Sequence, residues 1–113
     1  MLPEYQKQSV TVCEKIPDGD LYRYGTGSAV RAIIQPVTSR TLTEVYGERV
    51  TGMLQMYCEW RDAVSEGMGV CVYVDLDAPC DYRVVAVDAW PGHHRECLLE
   101  RIDEGRRGAR GGN

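Results

Sequence analysis

VTGMLQMYCEW (50–60), GVCVYVD (69–75), DYRVVAV (81–87) and RECLLERI (95–102) decide the fold. Each is a run of about strand length in which apolar side chains recur at every second position, and Gly, Pro or Asp fill the gaps between them. In the first, Leu54, Met56, Cys58 and Trp60 share a face, and Met53, Gln55, Tyr57 and Glu59 share the other. In the second, Val70, Val72 and Val74 point inward. In the third, Tyr82, Val84 and Ala86 take one side and Val85 and Val87 the other. Arg95 to Ile102 closes the set, after a turn at Trp90-Pro91-Gly92-His93-His94.

Upstream, 9–14 reads as a first strand with Val10 and Val12 on one face. Val30, Ala32 and Ile34 make an inward face of a second strand over 28–37, and Pro36 ends its ladder because it has no amide hydrogen. Between them, Pro17-Asp18-Gly19-Asp20 is a turn, and Gly25 and Gly27 break the chain again. The stretch 17–28 is therefore expected to be a loop, with at most a short strand at 21–24. Helical spacing occurs over 38–47, where Leu42, Val45 and Tyr46 fall at i, i+3 and i+4. Thr41 and Glu44 have capping-box spacing there, and Gly47 suits the stop position. The expected fold class is mainly β: a small antiparallel β-barrel or sandwich of about six strands, with one short helix or ordered loop near 38–47.

The 113 residues are read as one β-barrel domain over 1–105, followed by an Arg/Gly-rich flexible tail over 106–113. Net charge is −4, and taking away the three tail arginines, Arg106, Arg107 and Arg110, leaves the body at −7. An acidic body lacks the basic face of a general nucleic-acid binder. The tail arginines remain candidates for contact with phosphate or a partner. The sequence shows no signal-peptide pattern at MLPEYQKQ and no apolar run of membrane-span length. The five cysteines, at 13, 58, 71, 80 and 97, are odd in number and follow no knuckle or ribbon spacing. Thiols in a reducing cytoplasm are expected, and Cys58, Cys71 and Cys97, lying within strands, are expected to be small core residues.

No constellation in the chain predicts catalysis, a metal or a cofactor. His93 and His94 with Cys97 are the nearest approach, and a further ligand would have to come from elsewhere, such as Asp88 or Cys80. Adjacent strand histidines point apart, however, and a thiol–imidazole pair also needs an orienting group and a cleft. Asp75, Asp77 and Asp81 crowd one turn but lack the glycine and terminal glutamate of a calcium loop, so a solvated turn is expected. Gly25 and Gly27 have no strand-then-helix context for a phosphate site. Tyr22, Tyr24, Tyr57 and Tyr73 could stack bases, but without a basic groove.

Three stretches carry a family resemblance: AVRAIIQPVTSR (29–40), YGERVTGMLQMYCEW (46–60) and CDYRVVAVDAWPGHHRECLLERI (80–102). Their order resembles that of tailed-bacteriophage head-closure proteins, also called head–tail joining, stopper or minor capsid proteins. The five cysteines and the Arg/Gly tail depart from that pattern. The resemblance implies a non-enzymatic structural protein of the virion neck, made in the host bacterial cytoplasm. It implies a homo-oligomeric ring of six or twelve copies, with portal or adaptor proteins above and tail-tube or tail-terminator proteins below. Packaged DNA would run through the channel, and no membrane is involved. The loop that closes the channel or contacts a neighbour would lie over 36–49, with Pro36, Ser39, Arg40, Glu44, Tyr46, Glu48 and Arg49 as its candidate residues. The alternative reading is a cytoplasmic barrel that binds single-stranded nucleic acid.

Overall fold

A computed structural model describes residues 6–37, 40–74 and 79–102. Six antiparallel strands close into a barrel: β1 (Gln8–Asp18), β2 (Leu21–Pro36), β3 (Met53–Glu59), β4 (Gly69–Cys71), β5 (Tyr82–Trp90) and β6 (His94–Arg101). Around the barrel the order is β1-β2-β3-β6-β5-β4, and β4 returns to pair with β1. Helix α1 (Arg40–Tyr46) and a 3₁₀ segment (Gly47–Gly52) lie between β2 and β3.

The alternation read from the sequence fills the interior. Val10, Val12, Val30, Ala32, Leu54, Met56, Val70, Val84 and Leu99 are buried together, with Ile34 and Val72 packed against them. Burying such side chains contributes roughly 1.5–3 kcal/mol each. Trp60, expected on the same face as Met56, is instead 36% exposed, because β3 ends one residue before it.

Five differences from the sequence reading have local causes. First, 17–28 is not a loop. The turn shrinks to Gly19-Asp20, with Gly19 at φ +66°, and β1 and β2 run through it as one hairpin. A glycine at the first of two turn residues is what a tight hairpin of this twist requires. Gly25 and Gly27 sit inside β2, where a Cβ would press on Ile16 or on Thr11 and Cys13. They are there for close approach, not for a break. Second, a bulge between Val84 and Ala86 changes the parity of β5. Val87, opposite Cys97, packs on the core, and Ala86 turns away beside Leu98.

Third, β4 stops at Cys71 rather than 75. The Asp81 carboxylate accepts the amide hydrogens of Val72 (2.9 Å) and Tyr73 (3.0 Å), so those groups leave the ladder. Asp81 is 5% exposed, not a solvated turn residue. Asp75 and Asp77 lie outside the described residues. Fourth, residues 50–52 belong to the 3₁₀ segment, and β3 begins at Met53. Fifth, β5 runs on to Trp90 and β6 starts at His94, so the turn between them is short. His93 donates its amide hydrogen to the Trp90 carbonyl (2.9 Å), and Gly92 sits at φ +80°. Helix α1 lies within the expected span, and Gly47 has the left-handed φ of a helix stop, +61°. The Thr41 side chain, and with it the expected capping box, lies outside the described residues.

Candidate functional site

The segment between β2 and β3 leaves the barrel wall, and among its described residues Arg49 makes a charged contact back to it. Residues 47–52 contain no buried side chain, and Val45 on α1 is 68% exposed. Arg49 reaches back to β6, where its guanidinium meets Glu100 at 2.5 Å. Arg83 on β5 takes the other oxygen of the same carboxylate at 2.6 Å. Burial would push the Glu100 carboxyl up, but the hydrogen bonds from Arg83 and then Arg49 outweigh it and hold the group below the ordinary 4.5. The same contact with Glu100 holds the Arg83 guanidinium above its ordinary value. Arg49 also covers the Tyr46 ring at 5.3 Å.

This contact forms one wall of a groove of about 590 Å³ that also involves Tyr22, Glu48, Gly52, Arg101 and Ile102. Its lining offers guanidinium donors and carboxylate acceptors on a face only part apolar. Such a surface suits a polar rim contact with another chain.

Of the candidate loop residues, Glu48 and Arg49 line this groove, and Tyr46 lies under the Arg49 guanidinium. Pro36 ends β2 opposite Leu54, and Arg40 and Glu44 are exposed on α1. Ser39, Arg106, Arg107 and Arg110 lie outside the described residues. Arg83 and Glu100 were missed by sequence reading. They are direct partners across β5 and β6, so an explicit pairing of those two strands would have placed them together. The bond from Arg49 spans 51 residues and leaves no local signal.

The histidine–thiol grouping does not assemble. Cys97 is 1% exposed inside the barrel, where it meets Cys58, whose thiol is pushed up by that contact and by burial. His94 stacks on Trp90 at the surface, with ring centroids 6.0 Å apart, and His93 is exposed in the turn. All five cysteines are thiols rather than disulfides, and all are buried. Three of them converge where sequence spacing gave no hint. The Sγ atoms of Cys13, Cys71 and Cys80 lie within 4.8 Å of one another, and that of Cys71 is 3.5 Å from Cys80. Tyr24 and Ile102 are buried around them. A hydrogen bond with Cys71 and burial push the Cys80 thiol up.

No protein-family model matches the chain. A comparison with curated proteins finds no match. Among solved structures, the fold is similar to the solution structure of protein SF1141 from Shigella flexneri 2a, a structural genomics target. The TM-score is 0.63 at 14% identity, over 85% of this chain and 92% of that one. At that identity the likeness speaks for the barrel alone. No helix among the described residues is long and apolar enough to cross a membrane.

Proposed function

We propose that this chain is a structural subunit of a tailed-phage neck, forming a ring that joins the portal or adaptor to the tail and helps close the DNA channel. One observation carries the reading. The barrel is closed and filled by its own side chains, while the segment 40–52 stands off it with Val45 bare and Arg49 anchored to Glu100. A filled barrel leaves the outer surface to do the work. An exposed arm held to β6 by an ion pair is suited to reach a neighbour or a channel.

The β1–β2 hairpin adds a second outward feature. Among the described residues, β2 pairs with β3 only from Ile33 to Pro36, so residues 21–32 have β1 as their one strand partner. Leu21, at the hairpin tip, is 77% exposed. A bare strand edge and an apolar tip, with the charged groove reaching the same hairpin at Tyr22, supply both apolar and ionic contacts for a neighbouring subunit. The resemblance over 29–40, 46–60 and 80–102 supplies the particular assembly.

The experiment is complementation. A phage lacking this gene is supplied with the wild-type chain or with a Val45→Glu, Arg40→Glu variant, both changes lying on exposed positions. The wild type restores infectious particles. The variant folds but yields DNA-filled heads without joined tails. Normal particles from the variant, or from the deletion alone, would sink the proposal.

The rival reading, a barrel binding single-stranded nucleic acid, uses four tyrosines for stacking. Tyr24 is 1% exposed and has its ring edge-on to Tyr22 at 5.3 Å, which leaves that platform incomplete. A salt-sensitive affinity for single-stranded DNA would favour it.

A further inference from the structure

Cys13 comes from β1, Cys71 from β4 and Cys80 from the residues just before β5. Three separate stretches thus bring sulfur to one place. Filling a core does not need this, since a thiol packs as well against Val or Leu as against another thiol. The larger cluster of the barrel is in fact filled mostly by Val, Leu and Met.

At Gly27 and Gly69 the surroundings bring bare backbone, not side chains, up against the sulfurs. A Cβ at Gly69 would lie 2.8 Å from both the Cys80 Sγ and the Tyr24 ring, and one at Gly27 would lie 3.0 Å from the Cys13 Sγ. Both neighbouring backbone positions are bare where any side chain would crowd the thiols. Cys13 and Cys80 are wholly buried and Cys71 nearly so. The grouped donor atoms are all sulfur, with no carboxylate or imidazole among them.

We propose that Cys13, Cys71 and Cys80 form a structural site for one thiophilic d¹⁰ cation, Cu(I) or Zn(II), bound by three thiolates. Three thiolates on one such ion stand about 3.8 Å apart for metal–sulfur bonds of about 2.3 Å. The described separations, 3.5 Å for one pair and no more than 4.8 Å for the others, bracket that value. An all-sulfur, water-excluding site selects soft ions over Mg(II), Ca(II) or Mn(II). On binding, three metal–sulfur bonds form, three thiol protons leave to solvent, and no electron is transferred.

The site has a structural consequence. β4 is three residues long and meets β5 at only two register positions, Gly69 with Arg83 and Val70 with Tyr82. An ion shared by β1, β4 and the start of β5 staples the weakest seam of the barrel. The inference does not depend on the ring reading, and either can fail alone.

The test uses the full chain, reduced and anaerobic. Zn(II) and Cu(I) are titrated separately against a chromophoric competing chelator. Retained metal is counted by elemental analysis after gel filtration. One ion per chain is expected for at least one of the two metals, with a raised melting temperature, and X-ray absorption then separates three-sulfur copper from zinc with an added fourth ligand. Cys80→Ser lowers affinity at least about tenfold, the least that loss of even an outer partner brings. Cys58→Ala, outside the cluster, leaves the stoichiometry intact. Cys71→Ala, an apolar filler, replaces Cys80→Ser if that variant does not fold. A wild-type chain that retains neither metal, binding that survives loss of a cluster cysteine, or binding abolished equally by Cys58→Ala would overturn the site.

Discussion

Asp81 is the buried charged residue among those described, and its carboxylate ends a strand. Each oxygen takes one backbone amide hydrogen, from Val72 and from Tyr73. Asp81→Ala strands both donors, and each orphaned partner of a charged acceptor counts for about 1.5 kcal/mol or more. A loss of about 3 kcal/mol is expected, read as a lower denaturant midpoint at unchanged slope. Asp81→Asn keeps one acceptor and loses less. Gly69→Ala is a second test at this scale. Its methyl would enter the space of the Cys80 sulfur and the Tyr24 ring, and overpacking of that kind costs about 1–3 kcal/mol. Neither role was legible in the sequence. Three aspartates in one turn do not say which one points inward, and a glycine opening a strand looks like any turn residue. What was legible at this scale was the inward set: Val10, Val12, Val30, Ala32, Leu54, Met56 and Val70 are all core residues. Alternation named the barrel interior but not every buried residue: Met53, Ile33 and Leu98, of the opposite parity, are also buried.

At the scale of elements, the limits of that rule show in β5 and in the β1–β2 hairpin. One extra residue near Val85 sends Ala86 out and Val87 in, and composition does not mark where a bulge falls. Two glycines in β2 read as a break because their reason lies on β1, in Ile16, Thr11 and Cys13. The 40–52 arm was legible as a short helix with a glycine stop, but its anchor was not, since Glu100 lies 51 residues from Arg49. That anchor gives a pH prediction. The folded-state carboxyl of Glu100 lies below the ordinary value, so its contribution is present above about pH 4.5 and is lost as pH falls through the lower folded-state value. The arginines are half exposed, so the effect is modest, on the order of 0.5–1 kcal/mol, and weakens with salt. The Arg49 Nε–H resonance is expected to hold its bonded shift down through pH 4.5 and to move toward solvent values only as pH falls through the lower folded-state value. Glu100→Gln removes that titration. An Arg49 signal indifferent to pH in the wild type would show that the arm is not held by this pair.

For the whole molecule, six strands and one short helix were readable from period-two patterning, and they close as an antiparallel barrel. A barrel or sandwich was expected and the barrel is what forms, but the strand pairing that closes it was not readable, because Thr11 with Cys71 and Val12 with Val70 join segments about sixty residues apart. The convergence of Cys13, Cys71 and Cys80 follows from that same closure, which is why cysteine spacing missed it. The interior is occupied by the barrel's own side chains, and Leu21, Val45, Tyr73 and Trp90 are large apolar groups exposed outside it, the surface on which the proposed ring would draw. Ring formation is expected to need the assembled particle, since no single patch among these is large. The proposed neck role is tested most directly by electron microscopy of mature particles from a phage whose genome carries this gene, joined to a mass-spectrometric inventory of their proteins. A closed ring of six or twelve copies between portal and tail is expected, with the 40–52 arms against the channel or the neighbouring subunit. Mature particles that contain no copy of the chain would contradict it.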